Sequence, residues 1–344
     1  VKLSDLSERF IVYIAEQSFL ISLTSLVALS LNIKAAFLGF FITYKVDFIE
    51  GFSPIFNTYY GLYNLLILFT LSLLYYSIES LTNHGIAEDI FKLKIINKYD
   101  IDDNKLLRML LLRDVIKAFF ISNVINSLFI IKYSKLLQNY YDHKFNLISI
   151  KYEVESKKSL FFQYFYSSLV MYYSIFLILL VIYTFVVPAS SLAISGTKAN
   201  PSFHFWNFFE TIFNNNLTLD IFEYIIGGFS LFTGTFIELF SSNIYETIIM
   251  ASLDSTYGLS SFVKYMLPQF FPETLGYVFG IAISMTITDI MLSYLQSMAR
   301  NQKYEYFFKR TKELLVNAGY YFTLSIILLV VGAIVEASLG VLNF

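Results

Sequence analysis

Two glutamates stand where a charge is expensive. Glu273 closes the stretch Leu267-Pro268-Gln269-Phe270-Phe271-Pro272-Glu273 at the head of an apolar run, and Glu336 closes Ala333-Ile334-Val335-Glu336 inside another. A charged side chain at the centre of a membrane-spanning helix costs about 2.5–3.5 kcal/mol on insertion scales, so such groups face the protein interior and find partners. Glu336 follows Tyr320 by a rise of about 24 Å along a helix, which sets it at a depth similar to Glu273 if the two helices run antiparallel. Carboxylates sharing a site of low dielectric hold a proton or bind a cation. Equally, each can hydrogen-bond a broken-helix backbone or a neighbouring hydroxyl and simply fix packing.

Further acidic residues, Glu238, Glu246 and Asp289, lie towards the other ends of their helices within reach of Arg300, and form an inner tier. That tier either continues a proton or cation path or makes salt bridges at the membrane interface. Near the N-terminus, Arg9 and Glu16 are seven residues apart and share a helix face, with Glu79 expected at similar depth on an antiparallel neighbour. Together with Arg113 they suggest a structural network that anchors the segment following them. Gly276 and Gly280 form a G-x-x-x-G pair that lets another helix approach closely, and Gly227, Gly228 and Gly234 supply a second small-residue face. Asn216-Leu217-Thr218 is a formal N-glycosylation sequon, and the aromatic stretch from Phe203 to Phe213, with Trp206, reads as an interfacial helix.

Other chemistry has no residues to carry it. The chain has no cysteine, which excludes disulfides, thiolate metal sites and cysteine nucleophiles. His84, His143 and His204 are isolated, and no H-E-x-x-H pair, phosphate-binding loop or serine elbow occurs. No catalytic residue, metal site or cofactor is therefore expected. A net charge of −2 offers no basic surface for nucleic acid.

The elements that must position these residues are membrane helices. Of the 344 residues 56% are hydrophobic and only 15% charged, with a mean hydropathy of +0.61; soluble domains carry about 25% charged residues. Six segments reach spanning length: Phe10 to Leu31, Tyr59 to Ser80, Tyr164 to Val187, Ile221 to Phe240, Leu275 to Leu295 and Tyr320 to Leu342. The region from Ser241 to Pro268, interrupted by Asn243, Glu246, Asp254, Gly258 and Lys264, reads as a short or broken helix that brings the crossings to about seven. The apolar segment Ala118 to Ile131 is short for a span and basic on both flanks, so it reads as a re-entrant or interfacial hairpin. The alternating runs Leu93–Ile96 and Leu147–Lys151 bracket it and are expected to pair as a small cytoplasmic sheet. Lysine and arginine concentrate between Leu81 and Arg113 and between Ala299 and Lys312, which places those loops and the N-terminus in the cytoplasm and the C-terminus outside the plasma membrane. The first apolar segment is too long for a signal peptide and is expected to stay in the mature protein.

Residues 1–154 resemble the RDD family of membrane proteins. The resemblance rests on Arg9 followed seven residues later by Glu16, on Glu79 and Gly85, on Lys94-Ile95-Ile96, on Arg108 and Arg113 around a leucine-rich stretch, and on Asp142. Glu16 stands where that family usually has Asp, and the Gly-Lys turn after Gly85 is missing. Residues 155–344 resemble the stage II sporulation protein M family of five-helix membrane proteins, through Asn243 and the stretches ending in Glu273 and Glu336; Gln269-Phe270 replaces that family's usual His-Gly. The resemblance, with the abundance of Phe, Tyr, Ile, Lys and Asn, implies an archaeal source. Neither family implies a defined activity. The whole chain thus reads as an all-α polytopic integral membrane protein of two fused domains and not an enzyme. It is expected to act as a scaffold or channel component assembled among lipids with copies of itself or other membrane proteins, or else as a cation- or proton-coupled transporter.

Overall fold

The computed structural model describes residues 2–3, 6–36, 59–82, 90–91, 93–97, 103–119, 142, 144–151, 157–186, 205–222, 227–230, 233–257, 267–299 and 304–342. In chain order the elements are β1 (Lys2–Leu3), α1 (Leu6–Ser30), α2 (Tyr59–Thr82), β2 (Leu93–Asn97), α3 (Asp103–Ala118), β3 (Leu147–Lys151), α4 (Lys157–Val181, widening into a π-helical turn over Ile182–Val186), α5 (Phe205–Phe222), α6 (Thr233–Tyr257), α7 (Leu267–Ala299) and α8 (Tyr304–Leu342). Among the described residues, five helical stretches are long and apolar enough to cross a membrane: Glu8–Ser30, Gly61–Thr82, Leu160–Val186, Leu267–Leu295 and Phe307–Ser338. The protein is membrane-embedded. Its surface agrees with that solvent, since Leu62, Leu66, Leu74 and Ile78 of α2 and Ile327 and Val331 of α8 point outward. Ser22, Thr24 and Ser25 of α1 are buried, each returning its hydroxyl to the carbonyl four residues earlier, so no polar group of these three needs lipid for a partner.

Five of the six expected segments match these helices. Of Ile221–Phe240, the described residues belong to the end of α5, a short helical stretch around Gly227–Phe229 and the start of α6, and the others lie outside the described residues. Gly227 and Gly228 explain the close packing there: a Cβ on Gly228 would lie 2.6 Å from Ile287 Cβ, and Gly227 faces Thr235 and Ser284. The expected break near Asn243 is absent as far as Tyr257, because α6 runs through it unbroken. Asn243 donates to the Leu239 carbonyl and Thr247 to the Asn243 carbonyl, so the polar groups are absorbed along the helix instead of interrupting it. Gly258 and Lys264, and the expected hairpin beyond Phe119, lie outside the described residues.

The expected strand pairing is present. β2 and β3 pair antiparallel from Leu93 opposite Lys151 to Asn97 opposite Leu147. β1, which the alternation pattern did not reveal in so short a run, adds to the other edge of β3 to give the order β1-β3-β2.

The chain forms two compact units. One holds α1, α2, α3, the sheet, α4 up to Ser167 and the stretch of α7 and α8 from Asp289 to Lys312. The other holds α4 from Ser168, α5, α6, α7 to Thr288 and α8 from Glu313.

Candidate functional site

In the second unit, α7 begins with a proline at its second position and another, Pro272, inside the helix. Pro272 has no N–H to give the Pro268 carbonyl, so the helix lacks one bond immediately before Glu273. Glu273 then packs on α8 where the side chain is missing: a Cβ on Gly332 would lie 2.7 Å from Glu273 Cγ. Glu336, one turn beyond Gly332 and on the same face, brings its carboxyl to Glu273. A hydrogen bond between two carboxyl groups needs a proton on one of them. The expected similar depth of these two glutamates is thus realised as direct contact. Gly276 extends the seam, meeting Leu329 where a Cβ would lie 2.9 Å from Leu329 Cδ2, and Phe279 meets Tyr321 with ring centroids 6.1 Å apart. The G-x-x-x-G face at Gly276 is therefore used within the chain; Gly280 is buried on the same helix.

Two other helices reach the pair. Asn216 of α5 donates its side-chain amide to Glu273 Oε1 at 2.5 Å. This is the nitrogen a glycan would occupy, and Asn216 is only 7% exposed, so the sequon is sequestered by its own hydrogen bond. Glu246 of α6 exerts its charge on Glu273 and accepts from the Tyr172 hydroxyl at 2.5 Å. Expected in an inner tier apart from Glu273, Glu246 belongs to the same cluster. Tyr173 and Thr274 exchange a hydrogen bond of 2.9 Å beside it. Glu238 lies on α6, and its side chain is outside the described residues.

Asp289, in the first unit, is fully buried and answered by three groups. Arg310 donates to it at 2.9 Å, Ser293 donates at 2.8 Å, and the Tyr164 hydroxyl also donates. Among the described residues its cationic partner is Arg310; Arg300, expected nearby, lies outside the described residues. This arrangement ties α4, α7 and α8 together and leaves the aspartate satisfied.

The N-terminal network is present with a different centre. Lys117 of α3 stands 3.4 Å from Glu16 and 3.7 Å from Glu79, with its ammonium 3.8 Å above the Tyr76 ring. Arg113 instead pairs with Asp142 at 2.7 Å and with Asp114 at 3.3 Å. Arg9 is buried on α1 with Glu16 two turns further along the same helix. The sequence reading missed Lys117 and Asp114; their one signal was the four-residue spacing of Arg113 and Lys117, which puts both cations on one face of α3. Burial lifts the Asp114 carboxyl above its usual range, opposed by the Arg113 charge and by the Ser80 hydroxyl, which donates to it at 2.6 Å.

Among the described residues no group of three or more His, Asp or Glu is arranged to hold a metal ion. Comparison with protein-family models, with curated proteins and with solved structures gives no match.

Proposed function

We propose that this protein is a non-enzymatic membrane transport subunit in which the Glu273–Glu336 pair binds and releases a proton, coupled to passage of a cation. One observation carries the reading: two carboxyl groups brought together at a helix seam, with a third carboxylate, Glu246, acting on Glu273. Among the described residues, the groups bearing most on Glu273 besides its own burial are these and Asn216, with no lysine or arginine among them. A pair built only for packing is stabilised better by a lysine or arginine, as at Asp289 and Arg310. Carboxyl groups within the membrane region that share a proton are the arrangement proton-coupled transport uses.

In this reading the N-terminal half is RDD-like and the C-terminal half is of the stage II sporulation protein M type, supported by the motifs around Arg9, Glu16, Asp142, Glu273 and Glu336. The lysine-rich loops support a plasma-membrane location with the N-terminus inside and the C-terminus outside. Purified protein in liposomes is the test. Cation-driven proton flux, read with an internal pH dye, falls at least tenfold in Glu273→Gln and Glu336→Gln while the variants elute and melt as folded protein. Flux equal to wild type in both variants refutes transport through the pair and leaves the scaffold role.

A further inference from the structure

α5 presents most of its polar residues outward. Asn207, Glu210, Thr211, Asn214, Asn215 and Thr218 are exposed, and Phe205, Phe209 and Phe213 stack along one side. Asn216 breaks that pattern. It is the buried residue among these polar side chains, and its amide nitrogen donates to Glu273 while its oxygen accepts from Asn215 on the same helix at 3.5 Å. A buried amide that donates to a carboxyl oxygen favours the ionised form and fixes the orientation of the group.

We propose that Asn216 is the positioning residue of the Glu273–Glu336 pair: through its amide, α5 holds the Glu273 carboxyl in the orientation that meets Glu336 and sets how readily the pair takes up a proton. This rests on the proton-binding reading above. Among the described residues, the groups facing Glu273 are Glu336 from α8, Glu246 from α6 and Asn216 from α5, and the neighbouring Thr274 is held by the Tyr173 hydroxyl of α4. Tyr172 of α4 is engaged by Glu246 and lies within the electrostatic reach of Tyr277. Asn216 is the neutral donor of this set that bonds Glu273 directly, so its removal leaves Glu273 facing acidic groups and hydroxyls.

The test is a pH titration of the purified full-length protein by infrared difference spectroscopy, which reads the carbonyl stretch of a protonated buried carboxylic acid. Glu273→Gln and Glu336→Gln identify the band by its loss. Asn216→Leu shifts the midpoint of that band towards alkaline pH by on the order of one unit, because a hydrogen bond to a charged group contributes about 1.5–3 kcal/mol. Asn216→Gln, which keeps an amide donor, lies between Leu and wild type. Emission of Trp206, the chain's one tryptophan, checks that α5 stays seated in each variant. A band present in wild type, lost in Glu273→Gln and unmoved in Asn216→Leu overturns the positioning role alone. A shift in Asn216→Gln as large as that in Asn216→Leu does the same. No band assignable to either glutamate overturns the proton-binding reading and this inference with it. A shifted band in a protein that carries no flux upholds the positioning role and removes transport.

Discussion

Lys117 Nζ lies 3.4 Å from Glu16 Oε2, and the same ammonium is 3.7 Å from Glu79, so one buried cation serves carboxylates on two different helices. Removing it strands both. Lys117→Met is expected to destabilise the protein by about 3–5 kcal/mol, the usual result of deleting one side of a buried ion pair. The double variant Lys117→Met with Glu16→Gln should recover part of the loss. Thermal melts in detergent read both; a Lys117→Met variant as stable as wild type would falsify the bridging role.

At the Glu273 seam the vulnerable atom is one that is missing. Gly332→Ala places a methyl 2.7 Å from Glu273 Cγ and 3.5 Å from its backbone nitrogen. The expected penalty is about 1–3 kcal/mol from overpacking, together with a perturbed carboxyl band in the infrared. Gly319→Ala is the control, because nothing lies within 4 Å of a Cβ there. Equal behaviour of the two variants would show that α7 and α8 do not meet closely at Glu273.

Asp114 gives a pH dependence whose sign can be worked out. Its folded value is raised by burial, so the stability gained from its protonation is complete below the ordinary aspartate value of about 3.9 and is lost as pH rises through the higher folded value. Melting temperature in detergent should therefore decline with rising pH across that interval more steeply in wild type than in Asp114→Asn. Parallel curves would remove Asp114 from the account.

Trp206 is 72% exposed on α5. If α5 lies at the lipid headgroups, as aromatic side chains favour, Trp206 emission shifts to the blue on reconstitution and is quenched by lipids brominated near the headgroup. Quenching only by a water-soluble agent would place α5 in the aqueous phase.

The membrane class, five helices and the pairing of β2 with β3 were legible in the sequence because each depends on local periodicity. Glu273 and Glu336 were legible as a pair because antiparallel helices translate residue number into depth. What stayed hidden depends on which way a side chain points. Asn243 looks like a helix breaker in a linear reading, yet its amide bonds the Leu239 carbonyl four residues back, as the Thr247 hydroxyl does that of Asn243. Lys117 drew no notice in the sequence, and on α3 it turns inward to Glu16 and Glu79. Asp289 lies on a helix within reach of several arginines, and the sequence alone cannot say that the antiparallel return of α8 brings Arg310 to it.

Pro272 gives α7 a pivot. With the Pro268 carbonyl released from the helical ladder, the leading turn can tilt without breaking a bond in the rest of the helix, and Glu273 is the first residue past the hinge. Glu273 stands on the far side of that gap, on the same stretch that Gly276 ties to Leu329, so a tilt of the leading turn leaves the carboxyl seated on Gly332 and the seam closed.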